Sequence, residues 1–186
     1  MTAIFLSGSR AISRLNDQIR NRVQNMMDQD FRILVGDANG ADKAVQKYLS
    51  EQRYKNVVVF CAGVACRNNV GDWEVHQVKV DSKLKGRAFY TQKDLKMADE
   101  ADYGFVLWDG KSAGSITNVL ELLKRNKSVV VYLSKSKEFK NVKNAEQLNS
   151  LLDTCDKVEI QSISRKVNVN RYLKEMAEAQ QGALNI

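Results

Sequence analysis

Apolar residues in this chain fall into short, unbroken runs separated by stretches with helical spacing. The runs are "AIFLS" (3–7), "RILV" (32–35), "VVVF" (57–60), "YGFVLW" (103–108) and "SVVVYL" (128–133). Between the first two, Ile12, Leu15, Ile19, Val23 and Met26 recur at the period of a helix. Ala41, Ala44, Val45, Tyr48 and Leu49 mark a second helix, entered through the turn residues "DANG". Further helices are predicted over 90–100 and 116–125. Strands that are apolar on both faces, alternating with amphipathic helices, indicate a parallel sheet covered on both sides. The predicted class is α/β: a Rossmann-like, doubly wound, mainly parallel sheet.

Two regions depart from this rhythm. Across 61–85, Trp73, Val75, Val78 and Val80 suggest a hairpin or an irregular excursion. Beyond Ser134, residues 135–143 are basic and polar. Leu148, Leu151 and Leu152 then suggest a short helix, and Val158, Ile160 and Ile163 an edge strand. Val169, Tyr172, Leu173 and Met176 mark a final amphipathic helix, and the closing "QQGALNI" reads as frayed. The organisation expected is a core over 1–134 with a small C-terminal α/β extension, 135–186, packed on the same domain.

A length of 186 residues with 44% hydrophobic content suits one well-buried core. No run is long enough for a membrane-spanning helix, and "MTAIFLSGSR" lacks the features of a signal peptide. Three cysteines are sparse and odd in number, so reduced thiols and a cytoplasmic location are expected. Cys61, Cys66, His76 and Cys155 have zinc-ligand chemistry but no finger spacing, and no metal or other cofactor is expected. His76, the only histidine, has no nucleophile motif to serve in a triad. A net charge of +7 favours an anionic partner without choosing between a nucleotide and a polynucleotide.

The candidate chemistry lies where strands end, because ligands of doubly wound sheets bind outside the carboxyl ends of the strands. The first run is followed by Gly8, Ser9 and Arg10, and the second by Gly36, Asp37, Gly40 and Asp42. The run at 103–108 is followed by Asp109, Gly110, Lys111, Ser112, Gly114 and Ser115. Each junction opens a helix, whose unpaired amides favour an anion. "WDGKSAGS" therefore has the parts of a phosphate cradle, with Asp109 as an acceptor for a sugar hydroxyl or a base amine. Neither "GDANGAD" nor "DGKSAGS" is a Walker P-loop, and a dinucleotide fingerprint is absent. Trp73 and Trp108 have the rings to stack a base, although burial or loop anchoring serves as well.

Three segments, "GSRAI", "LVGDANGADKAVQKYL" and "KDLKMADEADYGFVLWDGKSAGS", resemble the SLOG superfamily. This Rossmann-like group is related to DprA and to the LOG-type phosphoribohydrolases, and the likeness is to its short bacterial YspA/YpsA-like branch. It covers roughly residues 3–133. The resemblance implies a site for a nucleotide or nucleotide-derived ligand, either ADP-ribose-like or a nucleoside phosphate. It places Gly8, Ser9 and Arg10 in the first glycine turn, Gly36, Asp37, Gly40 and Asp42 in the second, and Gly114 and Ser115 at the phosphate-binding helix start. LOG-type hydrolases carry an arginine ahead of a methionine and a glutamate past the phosphate turn. Here those positions are Lys93, ahead of Met97, and Asn118.

An amide cannot act as a general base or stabilise an oxocarbenium ion by charge. Hydrolysis of ordinary nucleoside monophosphates is therefore expected to be absent or slow unless Asp42, Asp109 or Lys93 substitutes. Asp37 and Asp94 are further acids near the same edge. The function expected is ligand recognition, as a sensor or a specialised N-glycoside-processing protein. The alternatives are a nucleic-acid-binding protein related to DprA and an active nucleoside 5′-monophosphate N-glycoside hydrolase. Self-association through the apolar face of the last helix is a further expectation.

Overall fold

The computed structural model describes residues 1–175. It is an α/β structure built on one seven-stranded sheet, ordered β4-β3-β2-β1-β5-β6-β7. The strands are β1 (Ala3–Gly8), β2 (Arg32–Gly36), β3 (Val57–Ala62), β4 (Glu74–Val78), β5 (Tyr103–Trp108), β6 (Val129–Leu133) and β7 (Glu138–Val142). All neighbouring pairs are parallel except β6 with β7. The helices are α1 (Asp17–Asp28), α2 (Ala41–Glu51), α3 (Gly86–Glu100), α4 (Ala113–Lys124), α5 (Ala145–Asp153) and α6 (Lys157–Lys166). Residues 169–175 are helical as well, and Met176 and the segment read as frayed lie outside the described residues.

The alternation of side chains along each central strand divides the core in two. Ile4, Leu6, Ile33, Val35, Phe105 and Leu107 pack with Ile19 and Val23 of α1 and Val45 and Leu49 of α2. Phe5, Leu34, Val106, Trp108 and Val131 pack on the other face with Met97 of α3 and Ile116, Val119 and Leu120 of α4. Leu148, Leu151, Leu152 and Ile163 belong to that second layer, so α5 and α6 share its core. Both faces of the sheet are thereby buried, as the unbroken apolar runs require.

Four sequence expectations need correction. The stretch around Trp73 is not a hairpin: residues 74–78 form β4, parallel to β3 at the sheet edge. Val158, Ile160 and Ile163 lie in α6, capped by Asp156, which accepts from the amides of Val158 and Glu159. Their spacing imitates a strand, but Val158 is 73% exposed and only Ile163 of the helix is buried. The basic segment 135–143 contains β7, whose single antiparallel pairing leaves it half-exposed and polar. Ile12 and Leu15 precede α1, which starts at the cap residue Asn16.

Cysteine chemistry also differs from expectation. Cys61 and Cys66 are joined by a disulfide across a five-residue separation, while Cys155 is a free, half-buried thiol. His76 stacks on Phe60 with ring centroids 4.6 Å apart and faces Glu100 at 3.5 Å. Among the described residues no helix is long and apolar enough to cross a membrane.

Phe5 is fully buried at the centre of the sheet. Phe5→Ala should cost about 3–5 kcal/mol through lost burial and the cavity left behind. Urea unfolding of the variant, with an unchanged slope and a lower midpoint, is the measurement that checks it.

Candidate functional site

Strand order reverses between β1 and β5. Chain leaving β1 is followed by α1 on one face, and chain leaving β5 by α4 on the other, so a crevice opens at their carboxyl ends. A cleft of about 560 Å³ occupies this place. Its floor includes Ser7, Gly8, Asp109 and Asn118, one wall comes from Asp42 and Arg67, and another from Tyr90, Lys93 and Asp94 of α3. Ser112, Gly114 and Ser115 bring the start of α4 to the cleft.

The junction after β5 is held by hydrogen bonds that fix its shape. Asp109 Oδ1 accepts from the amides of Lys111 (2.9 Å) and Ser112 (2.8 Å) and from Ser9 Oγ (2.9 Å). Ser9 Oγ in turn accepts from the Asp109 amide at 3.1 Å and lies 3.1 Å from Ser115 Oγ. Its one proton goes to Asp109, so the Ser115 hydroxyl donates to it. Ser9 is therefore saturated, and it is fully buried: it braces the loop and does not line the cleft. Asp109 Oδ2 makes no hydrogen bond to a described residue and remains available to a ligand. Ser112 caps α4 by accepting from the Ser115 amide at 3.4 Å, and the amides of Ala113 and Gly114 have no intrahelical acceptor. A Cβ on Gly114 would meet only Ser112 Oγ, at 3.8 Å, so the space beside this turn is open.

The acids of the second junction divide. Asp37 is 1% exposed and clamped by Arg67, whose amide and Nε donate to Oδ2 at 3.0 Å and whose guanidinium also reaches Oδ1 at 2.6 Å. Burial works to raise its carboxyl, but the hydrogen bonds from Arg67, with the nearby Lys93 charge, hold it below the usual carboxylate value. Asp37 does not line the cleft; Arg67 does, lying 4.1 Å over the Tyr90 ring.

Asp42 lines the cleft while only 5% exposed. Its Oδ2 accepts from the Ala38 amide at 3.2 Å and lies 4.0 Å from Lys93 Nζ. Burial pushes its carboxyl up to about 6, with Asp94 adding to the rise and Lys93 opposing it. Lys93, itself 4% exposed, donates to Asp94 Oδ1 at 2.7 Å. Burial would lower its ammonium, but Asp94 and Asp42 together hold it above the ordinary lysine value.

The predicted glycines serve mainly to make this arrangement fit. A Cβ at Gly36 would overlap the Asp42 carboxylate and the Lys93 ammonium. Gly40, at φ +87°, would press a Cβ into the Arg10 backbone, and Gly8 would press one on Leu107 and Ala41. Gly36 and Gly40 do not line the cleft, nor do Gly110 and Lys111; Lys111 instead pairs with Glu159 of α6 at 2.8 Å. Asn118 does line it, donating from Nδ2 to Ser7 Oγ at 3.1 Å.

Several lining residues carried no signal in the sequence. Arg67, Arg87, Tyr90 and Thr117 reach the cleft from irregular or weakly patterned segments, and Lys166 reaches it from α6. Arg87 donates to Thr117 Oγ1 at 2.7 Å and to the Ala113 carbonyl at 3.3 Å, which ties α3 to the start of α4. Trp73 and Trp108 are buried, each with its indole N–H bonded to a backbone carbonyl, so neither offers a face to a ligand. The zinc-type set is not assembled, since Cys61 and Cys66 are bonded to each other. No protein-family model matches the chain, and no curated protein sequence matches it.

An acid raised from 3.8 to about 6 binds a proton more tightly in the folded state than in the unfolded one. Its contribution to stability is therefore full below pH 3.8 and is lost as pH rises through about 6. Asp42→Asn keeps the shape and removes the titration. The variant should match the parent protein near pH 4 and exceed it at pH 7, by on the order of 2–3 kcal/mol. Chemical denaturation of both proteins at the two pH values checks the sign.

Proposed function

We propose that the cleft binds a nucleotide or a nucleotide-derived ligand, with a phosphate at the start of α4. The observation that carries this reading is the meeting of open amides at Ala113 and Gly114 with surplus positive charge at the rim. Arg10 and Lys166 are exposed, line the cleft and make no ion pair or hydrogen bond with a described residue. Arg87 adds a third cation beside the same turn. The interior cations, by contrast, are already matched: Arg67 by Asp37, and Lys93 by Asp94. Free cations outside and open carboxylate oxygens inside suit a ligand with an anionic end and a donor-bearing end. The cleft's 560 Å³ falls within the usual range for small-molecule sites. The resemblance to the SLOG superfamily supports the same reading, which is that of a ligand-recognising protein.

Gly114 provides the first test. Valine there should leave the fold intact, since the surrounding space is open, and should fill the position a phosphate would occupy. Calorimetric titration with nucleoside mono- and diphosphates and ADP-ribose should show binding to the parent protein and at least a hundredfold loss in Gly114→Val. Equal affinity in both proteins would remove the phosphate from this turn.

The second test concerns turnover. Asn118 supplies a dipole where glycosidic cleavage needs a negative charge beside the developing cation, and such electrostatic stabilisation is commonly the largest catalytic contribution. Chromatography of AMP, GMP, CMP and UMP incubated with the protein should show little or no released base. Release at ordinary enzyme rates would make the protein a hydrolase and not a sensor.

A further inference from the structure

The least explained feature of the cleft is the buried pair Asp42 and Lys93. Asp42 Oδ2 is engaged by the Ala38 amide, but Oδ1 has no hydrogen-bond partner among the described residues. Among the described residues no side-chain oxygen or nitrogen is both sealed from solvent and unpartnered, so Oδ1 opens into the cleft that Asp42 lines. Lys93 Nζ has three protons and spends one on Asp94 Oδ1; its separation of 4.0 Å from Asp42 is too long for a hydrogen bond. The carboxylate that carries the unpartnered Oδ1 therefore stands beside an ammonium with protons to spare, its Oδ2 being the oxygen 4.0 Å from Nζ. Gly36 makes room for the pair itself, because a Cβ there would overlap both charged groups.

The chemistry of the missing group follows from this pair. An anion would be repelled by the carboxylate, and a cation by the ammonium. An exocyclic amine can donate to Asp42 but cannot accept from Lys93. A hydroxyl does both at once, donating to Oδ1 and accepting from Nζ. We propose that Asp42 and Lys93 form a hydroxyl-reading subsite, so that the cleft takes ribosides in preference to ligands lacking the sugar hydroxyls. The proposal rests on the nucleotide reading of the cleft and narrows it to hydroxyl-bearing sugars. The usual acid for this task in doubly wound folds follows the second strand; here Asp37 holds that position but is committed to Arg67.

The subsite is linked to pH. The groups facing Asp42 are Lys93 and Asp94 of α3, Asp37 of the β2–α2 junction and Arg67 of the β3–β4 loop. Among these groups Asp42 is the one raised to about 6. The ionised carboxylate is the stronger acceptor, so preference for the hydroxyl ligand strengthens as pH rises from 5 to 7. Phosphate monoesters also titrate near pH 6, and comparing two ligands with the same phosphate cancels that contribution.

The experiment is a titration of the full chain with AMP, 2′,3′-dideoxyadenosine monophosphate and inosine monophosphate, at pH 5 and pH 7, followed by calorimetry. The expected result at pH 7 is a loss of roughly ten- to a hundredfold for the dideoxy ligand. That gap should shrink at pH 5 and collapse in Asp42→Asn. Ribose 5-phosphate against 2-deoxyribose 5-phosphate repeats the comparison without a base and should show the same direction. Equal affinity for AMP and the dideoxy ligand overturns the proposal while leaving the nucleotide reading in place, as does a loss confined to inosine monophosphate. A gap that persists in Asp42→Asn moves the subsite away from Asp42. Failure of every nucleotide and both sugar phosphates to bind overturns the nucleotide reading and this proposal with it. The comparison of ligands on the parent protein stands whether or not Asp42→Asn folds.

Discussion

The site depends on one contact between residues a hundred positions apart: the Ser9 hydroxyl on Asp109 Oδ1. β1 and β5 are neighbours in the sheet, with Gly8 paired to Leu107, and their chains leave toward opposite faces. Such a divergence opens a crevice, and without a brace its two lips could separate. Ser9 supplies the brace because one small hydroxyl serves as donor to Asp109, acceptor from its amide and acceptor from Ser115. That saturation holds the first turn of α4 against the end of β1, and Gly8 permits the approach by presenting no Cβ to Leu107 and Ala41. The open space beside Gly114 is a consequence of this bracing, which fixes where the helix start sits.

Around that frame the acids separate into committed and available oxygens. Asp37 spends both oxygens on Arg67, and the pair fixes the β3–β4 loop to the β2 end. Asn68 extends the tie by donating to the Asp37 carbonyl at 2.8 Å. Asp109 spends one oxygen on the loop and keeps one, and so does Asp42. Burying charge is costly unless it is paired and hydrogen-bonded. A fold selected only for stability would close these last two oxygens. Leaving Asp42 buried, raised and half-satisfied beside a buried lysine is a cost that ligand contacts would offset.

The central strands were legible because the physics that buries them is local to each run: "VVVF" and "YGFVLW" have no polar face, so only a covered sheet accommodates them. The strand-to-helix junctions were legible for the same reason, since glycine and acid residues interrupt the runs abruptly. Edge elements were not. β4 and β7 each bury little and carry charged residues, so their patterns approach those of loops. The α6 sequence imitates a strand because Val158 and Ile160 alternate, although the helix is set by the Asp156 cap and a single buried Ile163. Asp37 is drawn out of the cleft by Arg67, whose position thirty residues away is fixed by tertiary packing and leaves no trace in local spacing. Gly36 does not line the cleft; its task is to make room for Asp42 and Lys93 and not to approach a ligand.

The C-terminal extension changes meaning once its contacts are traced. Its helices contribute Leu148, Leu151, Leu152 and Ile163 to the layer that also holds α4. The same extension reaches the site's own loop, where Glu159 of α6 binds Lys111, two residues beyond Asp109. At the far end of α6, Lys166 enters the cleft. α6 is anchored by Ile163, with Ile160 packed on the same layer and Val167 and Val169 buried just beyond it, while its largely exposed ion pair to Lys111 contributes little in water. An anion in the cleft would attract Lys166 and thereby add to the anchoring of α6. By linkage, whatever steadies α6 must strengthen anion binding by the same factor. The extension is thus a wall of the cleft, tied to the loop after β5 at one end of α6 and to the rim at the other.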